Sequence, residues 1–191
     1  MNRFTHGESI RYIASDLPIV GLLQELDGNP QVWDEHTSRT APENSPHHGL
    51  SDIWVRYNDW ANFTGDSRAF NEQHDAVWLP PSRVLPSAKR LAKLVMAIVG
   101  GDRLGMVLIT RIPPGGRVAP HIDSGWHAGY YDKYAVQIKG NANQAFHFEG
   151  ESLSSAPGDL YTFDNAKLHW VSNDSDEERI TCIICIRGCH E

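Results

Sequence analysis

Hydrophobic positions divide the chain near residue 104 into two parts with different periodicities. Before this point, apolar side chains recur at helical spacing in residues 16–26 and 87–99. The first helix is predicted to start at Asp16, because Pro18 then falls in the first turn, where proline is favoured. Ser87 is a candidate N-cap of the second helix, which a pair of glycines ends. We expect this second helix to pack against a sheet.

After residue 104, short apolar runs alternate with turns rich in glycine, proline and asparagine, and no helical pattern separates them. The predicted strands of this part cover residues 106–112, 118–123, 134–138, 145–148, 160–163, 168–171 and 179–186. One further strand, residues 53–57, is predicted in the first part of the chain. Residues 37–48 are polar and contain two prolines, which predicts a loop. So many short strands without intervening helices indicate a β-sandwich or a β-barrel.

Composition places the chain among ordinary globular proteins, with 40% hydrophobic and 21% charged residues. The formal net charge of −7 and the lack of a long basic run argue against nucleic acid or an anionic membrane as a partner. No apolar stretch approaches the roughly 20 residues of a membrane span. The N-terminal residues also lack the apolar core of a signal peptide. We therefore expect a cytoplasmic protein.

Two of the three cysteines, Cys182 and Cys185, have the C-x-x-C spacing of some zinc and redox sites. They lie within a predicted strand, however, where residues three apart point to opposite faces of the sheet. The two sulfur atoms therefore cannot share a metal, and we interpret both cysteines as core residues.

The candidate chemistry lies in His121, Asp123 and His169. On a strand, His121 and Asp123 leave the same face, close enough to bind one cation. His169 follows 46 residues after Asp123, which is enough chain for an antiparallel barrel to return beside the first pair. Two histidines and one carboxylate form the facial triad of non-haem iron(II) oxygenases, which leaves coordination positions open for co-substrate and oxygen.

The turns around these residues follow the plan of a cupin-like barrel. Gly115 precedes the strand of His121, and residues 157–159 form a tight turn before the next strands. A conventional small cupin has a second histidine and a glutamate just after the first ligand, but residues 124–127 supply neither at the right place. We therefore predict a mainly β fold, a double-stranded β-helix (jelly-roll, cupin-like) barrel with flanking N-terminal helices.

This prediction assigns the whole chain, residues 1–191, to one oxygenase domain. Residues 1–103 would supply helical and irregular support and part of the sheet. Residues 104–188 would form the barrel core with the metal site.

Arg179 lies ten residues after His169, at the start of the last predicted strand. 2-Oxoglutarate, the usual co-substrate of such iron sites, has a distal carboxylate that needs a partner. Arginine binds carboxylates in a planar, bidentate way and stays charged when buried. The alternative is a surface arginine beside the acidic turn of residues 174–178.

Residues 109–186 resemble the aspartyl/asparaginyl β-hydroxylase family of 2-oxoglutarate oxygenases. The matching segments are Thr110-x3-Pro114-Gly115-x5-His121-x-Asp123, Lys133-Tyr134-Ala135-Val136-Gln137-Ile138 and Pro157-Gly158-Asp159-x3-Phe163-Asp164-Asn165-x3-His169-x3-Asn173-x5-Arg179. The resemblance implies iron(II) as cofactor, with 2-oxoglutarate and oxygen as co-substrates. It also implies hydroxylation of a C–H bond, with release of succinate and carbon dioxide.

The resemblance assigns roles to particular residues. The metal ligands would be His121, Asp123 and His169. Arg179 would bind the distal carboxylate of 2-oxoglutarate and Thr110 would help it through its hydroxyl, while Lys133 stands where many members have an arginine near the co-substrate. Ala135 departs from the family, because relatives often have a histidine there. Asp123 supplies the carboxylate ligand that some peptide-modifying members lack.

Three functions remain open. The first is hydroxylation of an amino-acid side chain in a peptide or protein, and the second is the same chemistry on a free amino acid or other small molecule. A free amino acid would need a partner for its carboxylate, and Arg56, Arg111 and Arg117 are candidates that nothing in the sequence separates. The third is a non-catalytic metal-binding module, against which Arg179 and Thr110 argue.

Several aromatic and histidine residues have two interpretations. The loop of residues 124–132, rich in aromatic side chains, is either a lid over the substrate or an ordinary surface loop. His147 is interpreted as a hydrogen-bonded histidine of the barrel. His47 and His48 are interpreted as loop residues.

Overall fold

The structure is a computed structural model that describes residues 8–188. The outermost residues of the predicted domain, 1–7 and 189–191, lie outside this range. The strands are β1 (Ile10–Ala14), β2 (Ser51–Tyr57), β3 (Val77–Trp78), β4 (Gly101–Ile112), β5 (Arg117–His121), β6 (Asp132–Lys139), β7 (Gln144–Phe148), β8 (Glu151–Leu153), β9 (Leu160–Phe163), β10 (His169–Asn173) and β11 (Arg179–Gly188). The helices are α1 (Val20–Gly28), α2 (Ser67–Phe70), α3 (Pro86–Ile98) and α4 (Trp126–Tyr130). Three short 3-10 helices cover Pro30–Val32, Trp60–Asn62 and Pro80–Arg83.

The strands form two antiparallel sheets, which confirms the predicted mainly β fold. The larger sheet has the order β1-β9-β6-β11-β4-β2-β3, and the smaller sheet has the order β5-β10-β7-β8. From β4 to β11, consecutive strands therefore change sheet, except at the β7–β8 hairpin, as in a jelly roll. The smaller sheet carries two of the three predicted metal-site residues, and the larger sheet carries Arg179.

A hydrophobic core fills the space between the two sheets. The larger sheet contributes Ile112, Ala135, Tyr161 and Phe163, and the smaller sheet contributes Val118, Phe146, Phe148 and Val171. Each of these side chains is less than a tenth exposed. Because residues two positions apart on a strand share a face, Lys133 and His169 lie on the same interior face as Ala135 and Val171 and share their low-dielectric environment.

A second core covers the outer face of the larger sheet. Helices α1 and α3 pack there, with Leu22 and Leu91 among their buried residues, as predicted for the second helix. Cys182 belongs to this core, whereas Cys185 packs in a separate cluster with Tyr57. Both cysteines are fully buried, which confirms that they are core residues on opposite faces of β11. No helix within residues 8–188 has the length and hydrophobicity needed to cross a membrane.

Both predicted helix starts are wrong in detail. Helix α1 begins at Val20, because Asp16 has a positive φ of 61° and the Leu17 amide donates to the carbonyl of Gly158. Helix α3 begins one residue before Ser87, at a proline, and its N-cap makes no side-chain hydrogen bond. The Ser87 amide and hydroxyl instead donate to the carboxylate of Glu25 in α1. A side chain distant in sequence thus replaces the expected local cap.

Besides the 3-10 helices, five short elements of the described chain, β1, α2, β3, β8 and α4, were not predicted from the hydrophobic pattern. Strand β1 pairs with β9 at the edge of the larger sheet, and β8 pairs with β7. The amides of Ser9 and Ile10 donate to the carboxylate of Glu151, which links these two strands. Helix α4 lies within the predicted loop of residues 124–132. Elements of five residues or fewer that depend on such distant contacts carry little periodic signal.

Candidate metal centre

His121 and His169 lie directly opposite each other on the paired strands β5 and β10. Asp123 follows just after the end of β5, where its amide donates to the carbonyl of Asn165. One ligand atom from each of the three side chains falls within 4.8 Å of the others, so the predicted convergence is present in the fold. The Nε2 atom of each histidine lies 3.7 Å from an oxygen of the Asp123 carboxylate.

Backbone carbonyls fix the tautomer of both histidines. The Nδ1 atom of His121 lies 2.9 Å from the carbonyl oxygen of Ala119, and that of His169 lies 2.8 Å from the carbonyl oxygen of Lys167. A carbonyl can only accept, so each Nδ1 carries the hydrogen and each Nε2 presents a lone pair. Such a second contact is typical of metal-ligating histidines.

The protonation states of these side chains also suit a cation. Burial lowers the pKa of His121 and of His169, which keeps both imidazoles neutral near pH 7. Burial alone would raise the pKa of Asp123, but the nearby Lys133 ammonium outweighs it and lowers the pKa. Two neutral imidazole nitrogens and one carboxylate oxygen therefore converge, which fits iron(II) with open coordination positions.

Lys133 contacts the carboxylate of this group. It leaves β6, and its Nζ atom lies 2.5 Å from Oδ2 of Asp123. The two side chains are only 14% and 16% exposed. In this structure Lys133 is thus the direct ionic partner of a predicted metal ligand.

Arg179 is buried at the start of β11, with 1% of its surface exposed, so the surface alternative is excluded. Its Nη2 atom donates to the hydroxyl of Tyr161 at 3.3 Å, but its Nη1 atom has no hydrogen-bond partner among the described residues. Burial lowers the pKa of the guanidinium, while the tyrosine contact opposes that shift. A buried cation with an unpaired donor is costly unless an anion binds it.

The hydroxyl of Thr110 contacts an arginine that sequence reasoning missed. Arg39 donates to Thr110 Oγ1 at 3.3 Å through Nη2. The same guanidinium makes a bidentate ion pair with the fully buried Asp52 carboxylate, at 2.8 and 2.9 Å. Arg39 lies in the predicted loop of residues 37–48, and no spacing signal pointed to it.

One cavity of about 390 Å³, a size typical of ligand sites, brings the three predicted metal ligands together with the polar side chains described above. Its lining includes Arg39, Thr110, His121, Asp123, Lys133, Tyr161, His169 and Arg179. Its aromatic wall comprises Trp54, Tyr57, Trp126, Phe146, Tyr161 and Phe163. Trp126 and His127 come from α4, so the loop of residues 124–132 borders the cavity, as the lid interpretation requires. Ala135 also lines it, where relatives often have a histidine.

The structure distinguishes the three histidines, His47, His48 and His147, whose roles the sequence left open. His47 lines the cavity, its ring centre 4.8 Å from that of His121, and its buried Nδ1 atom has no hydrogen-bond partner in the described chain. The loop interpretation of His47 was therefore incomplete. His48 is exposed, as expected for a loop residue. His147 bonds Ser172 Oγ at 2.9 Å on the β7–β10 ladder, which confirms the interpretation as a barrel histidine.

His127 is held as a neutral ring in the cavity wall. Its Nε2 atom accepts a hydrogen bond from the amide of Met106 at 3.3 Å, which places its proton on Nδ1. Burial lowers its pKa to about 3. The amide of Met106 belongs to β4 and lies next to the residue of β4 at which the pairing with β2 shifts register.

Comparisons with known proteins agree with this geometry. A family model described as aspartyl/asparaginyl beta-hydroxylase matches residues 33–187. No curated protein matches the sequence at a significant level.

Solved structures share the fold. An oxidoreductase of the 2OG-Fe(II) oxygenase family from Burkholderia pseudomallei is 17% identical with a TM-score of 0.55, covering 86% of this chain and 78% of that one. A prolyl hydroxylase from Trichoplax adhaerens, in complex with a hypoxia-inducible factor peptide fragment, is 13% identical with a TM-score of 0.60, covering 95% and 84%. The viral collagen prolyl hydroxylase of Paramecium bursaria Chlorella virus-1 is 11% identical with a TM-score of 0.56, covering 96% and 98%. These likenesses confirm the double-stranded β-helix.

The buried neutral state of His127 predicts a pH-dependent stability. Its folded pKa of about 3 lies below the unfolded value of about 6.5. Below pH 6.5 the unfolded chain therefore takes up a proton that the folded chain does not, and stability is lost as the pH falls. The loss is at most about 1.4 kcal/mol per pH unit.

The test compares urea unfolding of wild type and His127→Gln, in a metal chelator, at pH 7 and pH 5. Glutamine can still accept from the Met106 amide but does not titrate. Between pH 7 and pH 5, the free energy of unfolding of wild type should fall by about 2 kcal/mol more than that of the variant. Equal losses in the two proteins would refute the assignment.

Proposed function

Because this chain belongs to the aspartyl/asparaginyl β-hydroxylase family, and is therefore a 2-oxoglutarate-dependent dioxygenase that uses iron(II) and oxygen, we propose that it hydroxylates an amino-acid side chain within a peptide or protein. One observation carries the assignment of residues. The convergent His121, Asp123 and His169 share a cavity with Arg179, whose buried guanidinium has an unpaired donor.

The roles of the binding residues follow from their positions. The triad would hold the metal through two Nε2 atoms and one carboxylate oxygen. Arg179 would bind the distal carboxylate of 2-oxoglutarate, while its Nη2 atom donates to the hydroxyl of Tyr161. When bound, iron(II) supplies the activation of oxygen that is coupled to decarboxylation of 2-oxoglutarate to succinate.

The rest of the cavity orients substrate and excludes water. Trp54, Tyr57 and Trp126 form an apolar wall on the side of α4. Trp126 stacks on Tyr130 with ring centres 5.3 Å apart, and this contact holds the indole in the wall. A dry wall matters because reactive oxygen species formed without substrate would attack the site itself.

Two features favour a peptide or protein substrate. Ile122 and Leu168, which precede Asp123 and His169, are 55% and 48% exposed and do not line the cavity, so they add apolar surface on the outside of the barrel, next in sequence to two proposed ligands. A larger substrate could cover this surface, since exposed apolar patches often mark interaction sites. The similar prolyl hydroxylase from Trichoplax adhaerens binds a peptide fragment, which supports the same mode here.

A free amino acid is a second candidate, and Arg39 favours it. None of the three arginines proposed from the sequence is among the lining residues of the cavity within the described chain. Arg56 donates to the carbonyl of Leu104, and Arg111 lies over the ring of Trp33. Arg39 lines the cavity instead, and its guanidinium, held by Asp52, would suit an α-carboxylate.

The first test is anaerobic titration of the protein with iron(II) and 2-oxoglutarate. A visible metal-to-ligand charge-transfer band should appear in wild type and should be absent in His169→Ala, because one of three ligands is lost. His147→Ala is the matched control and should keep the band, because His147 bonds Ser172 outside the cavity. A folded wild type without the band, or a variant His169→Ala with it, would contradict the proposed site.

Arg179→Met tests the site of the distal carboxylate. The affinity of the iron-loaded protein for 2-oxoglutarate should fall about 10- to 150-fold, the effect of losing a charged hydrogen bond worth about 1.5–3 kcal/mol. The affinity for iron(II) alone should change far less. Arg111→Met, on the neighbouring strand and outside the cavity, should leave both affinities unchanged. Equal weakening of iron and 2-oxoglutarate binding in Arg179→Met would refute the role.

Substrate-stimulated release of succinate separates the two substrate classes. We expect stimulation by short peptides with blocked termini, which carry no free α-carboxylate or α-ammonium group. Individual free amino acids should give little stimulation. If only free amino acids stimulate succinate release, and Arg39→Gln abolishes that stimulation, the peptide proposal is wrong and the second candidate replaces it.

A further inference from the structure

The Lys133 ammonium and a bound metal ion would compete for the same partner, the carboxylate of Asp123. Its ammonium donates to Oδ2 of Asp123 at 2.5 Å, and that same oxygen faces His169 Nε2 at 3.7 Å. The other carboxylate oxygen faces His121 Nε2 at the same distance. A metal ion bound between the two imidazoles would take its third ligand from this carboxylate. The Lys133 ammonium therefore already binds the carboxylate that the metal ion would need as its third ligand.

The backbone of Lys133 cannot move away to relieve this competition. The residue lies in a central strand, opposite Phe163 of β9 and Cys185 of β11. Its carbonyl accepts a hydrogen bond from the hydroxyl of Thr162. Only rotation of the side chain can separate the ammonium from Asp123, and such rotation keeps it near the cavity that it lines.

The cavity offers a displaced ammonium no second protein anion. Asp123 is the only acidic residue among its lining residues in the described chain, whereas Arg39, Lys133 and Arg179 all line it. Arg39 already has its carboxylate, that of the buried Asp52. An ammonium that is 14% exposed and has lost its partner is costly until an anion arrives. A dicarboxylate can bind Arg179 at one end and a second cation at the other.

We infer that Lys133 couples metal binding to 2-oxoglutarate binding. In the metal-free protein it is the counter-ion of Asp123 and opposes the metal, and once the metal takes Asp123 it becomes a partner for a carboxylate of 2-oxoglutarate. Lys133 thus acts on the metal through Asp123 and on 2-oxoglutarate by direct contact. This inference rests on the proposed metal site and adds a linkage between its two ligands.

The test measures Mn(II) dissociation constants by calorimetry, with and without saturating 2-oxoglutarate, for wild type and Lys133→Met. Without 2-oxoglutarate, Lys133→Met should bind Mn(II) about tenfold more tightly than wild type, because the competing cation is gone. The factor by which 2-oxoglutarate improves Mn(II) binding should be about tenfold smaller in Lys133→Met, since one carboxylate partner is lost.

Two further variants separate this role from general damage. Lys133→Arg keeps the charge and should retain most of the wild-type coupling. Lys139→Met removes a lysine from the end of the same strand, where its ammonium bonds Glu178, and should behave as wild type. Thermal unfolding gives an independent readout. In a chelator Lys133→Met should melt below wild type, because Asp123 loses its partner, and Mn(II) should raise its melting temperature by more.

The outcomes distinguish this inference from the proposed function. If wild type does not bind Mn(II), the metal site is wrong and the inference falls with it. If wild type binds Mn(II) but Lys133→Met binds it equally or more weakly without 2-oxoglutarate, only the inference is overturned. An unchanged coupling factor in Lys133→Met would also overturn it. Should Lys133→Met fail to fold, the same measurements on Lys133→Gln decide the question by the same criteria.

Discussion

The pairing of β5 with β10 is the constraint on which the rest of the site depends. It sets His121 opposite His169, so two side chains that are 48 positions apart share one face of the smaller sheet. Phe146 stacks on the His169 ring at 5.5 Å, and Phe163 contacts it at 5.6 Å. The hydrophobic packing that holds the barrel together therefore also fixes a ligand orientation. Such preorganisation by strands and packed rings is more precise than a site built on loops.

The cavity inside the barrel is lined by more positive than negative side chains. Three cations line the cavity, and among the described residues that line it only Asp123 is acidic. Arg39 pairs with Asp52, which does not line the cavity. Lys133 pairs with Asp123, the carboxylate that the proposed metal site requires. Arg179 remains with an unpaired buried donor. A divalent metal together with a dicarboxylate would satisfy all of these groups, which is the charge pattern that the proposed function requires.

Sequence reasoning succeeded where the signal was local and failed where distant contacts decide. The H-x-D spacing was enough to predict that His121 and Asp123 converge, although β5 ends at His121 and Asp123 lies just beyond it. Ser87 was misassigned as a cap because its partner comes from another helix. Arg39 was missed because it stands in an irregular loop. Lys133 was predicted near the co-substrate, but its pairing with Asp123 depends on side-chain geometry that no spacing encodes.

Diffraction from crystals grown with Mn(II) and 2-oxoglutarate is the most direct test of the metal site, because the anomalous signal locates the metal without prior assumptions. We expect a single strong peak within coordination distance of both Nε2 atoms and of the Asp123 carboxylate. We also expect density for 2-oxoglutarate that reaches from this peak to the guanidinium of Arg179. A metal bound elsewhere, or a co-substrate whose distal carboxylate does not contact Arg179, would contradict the proposed site.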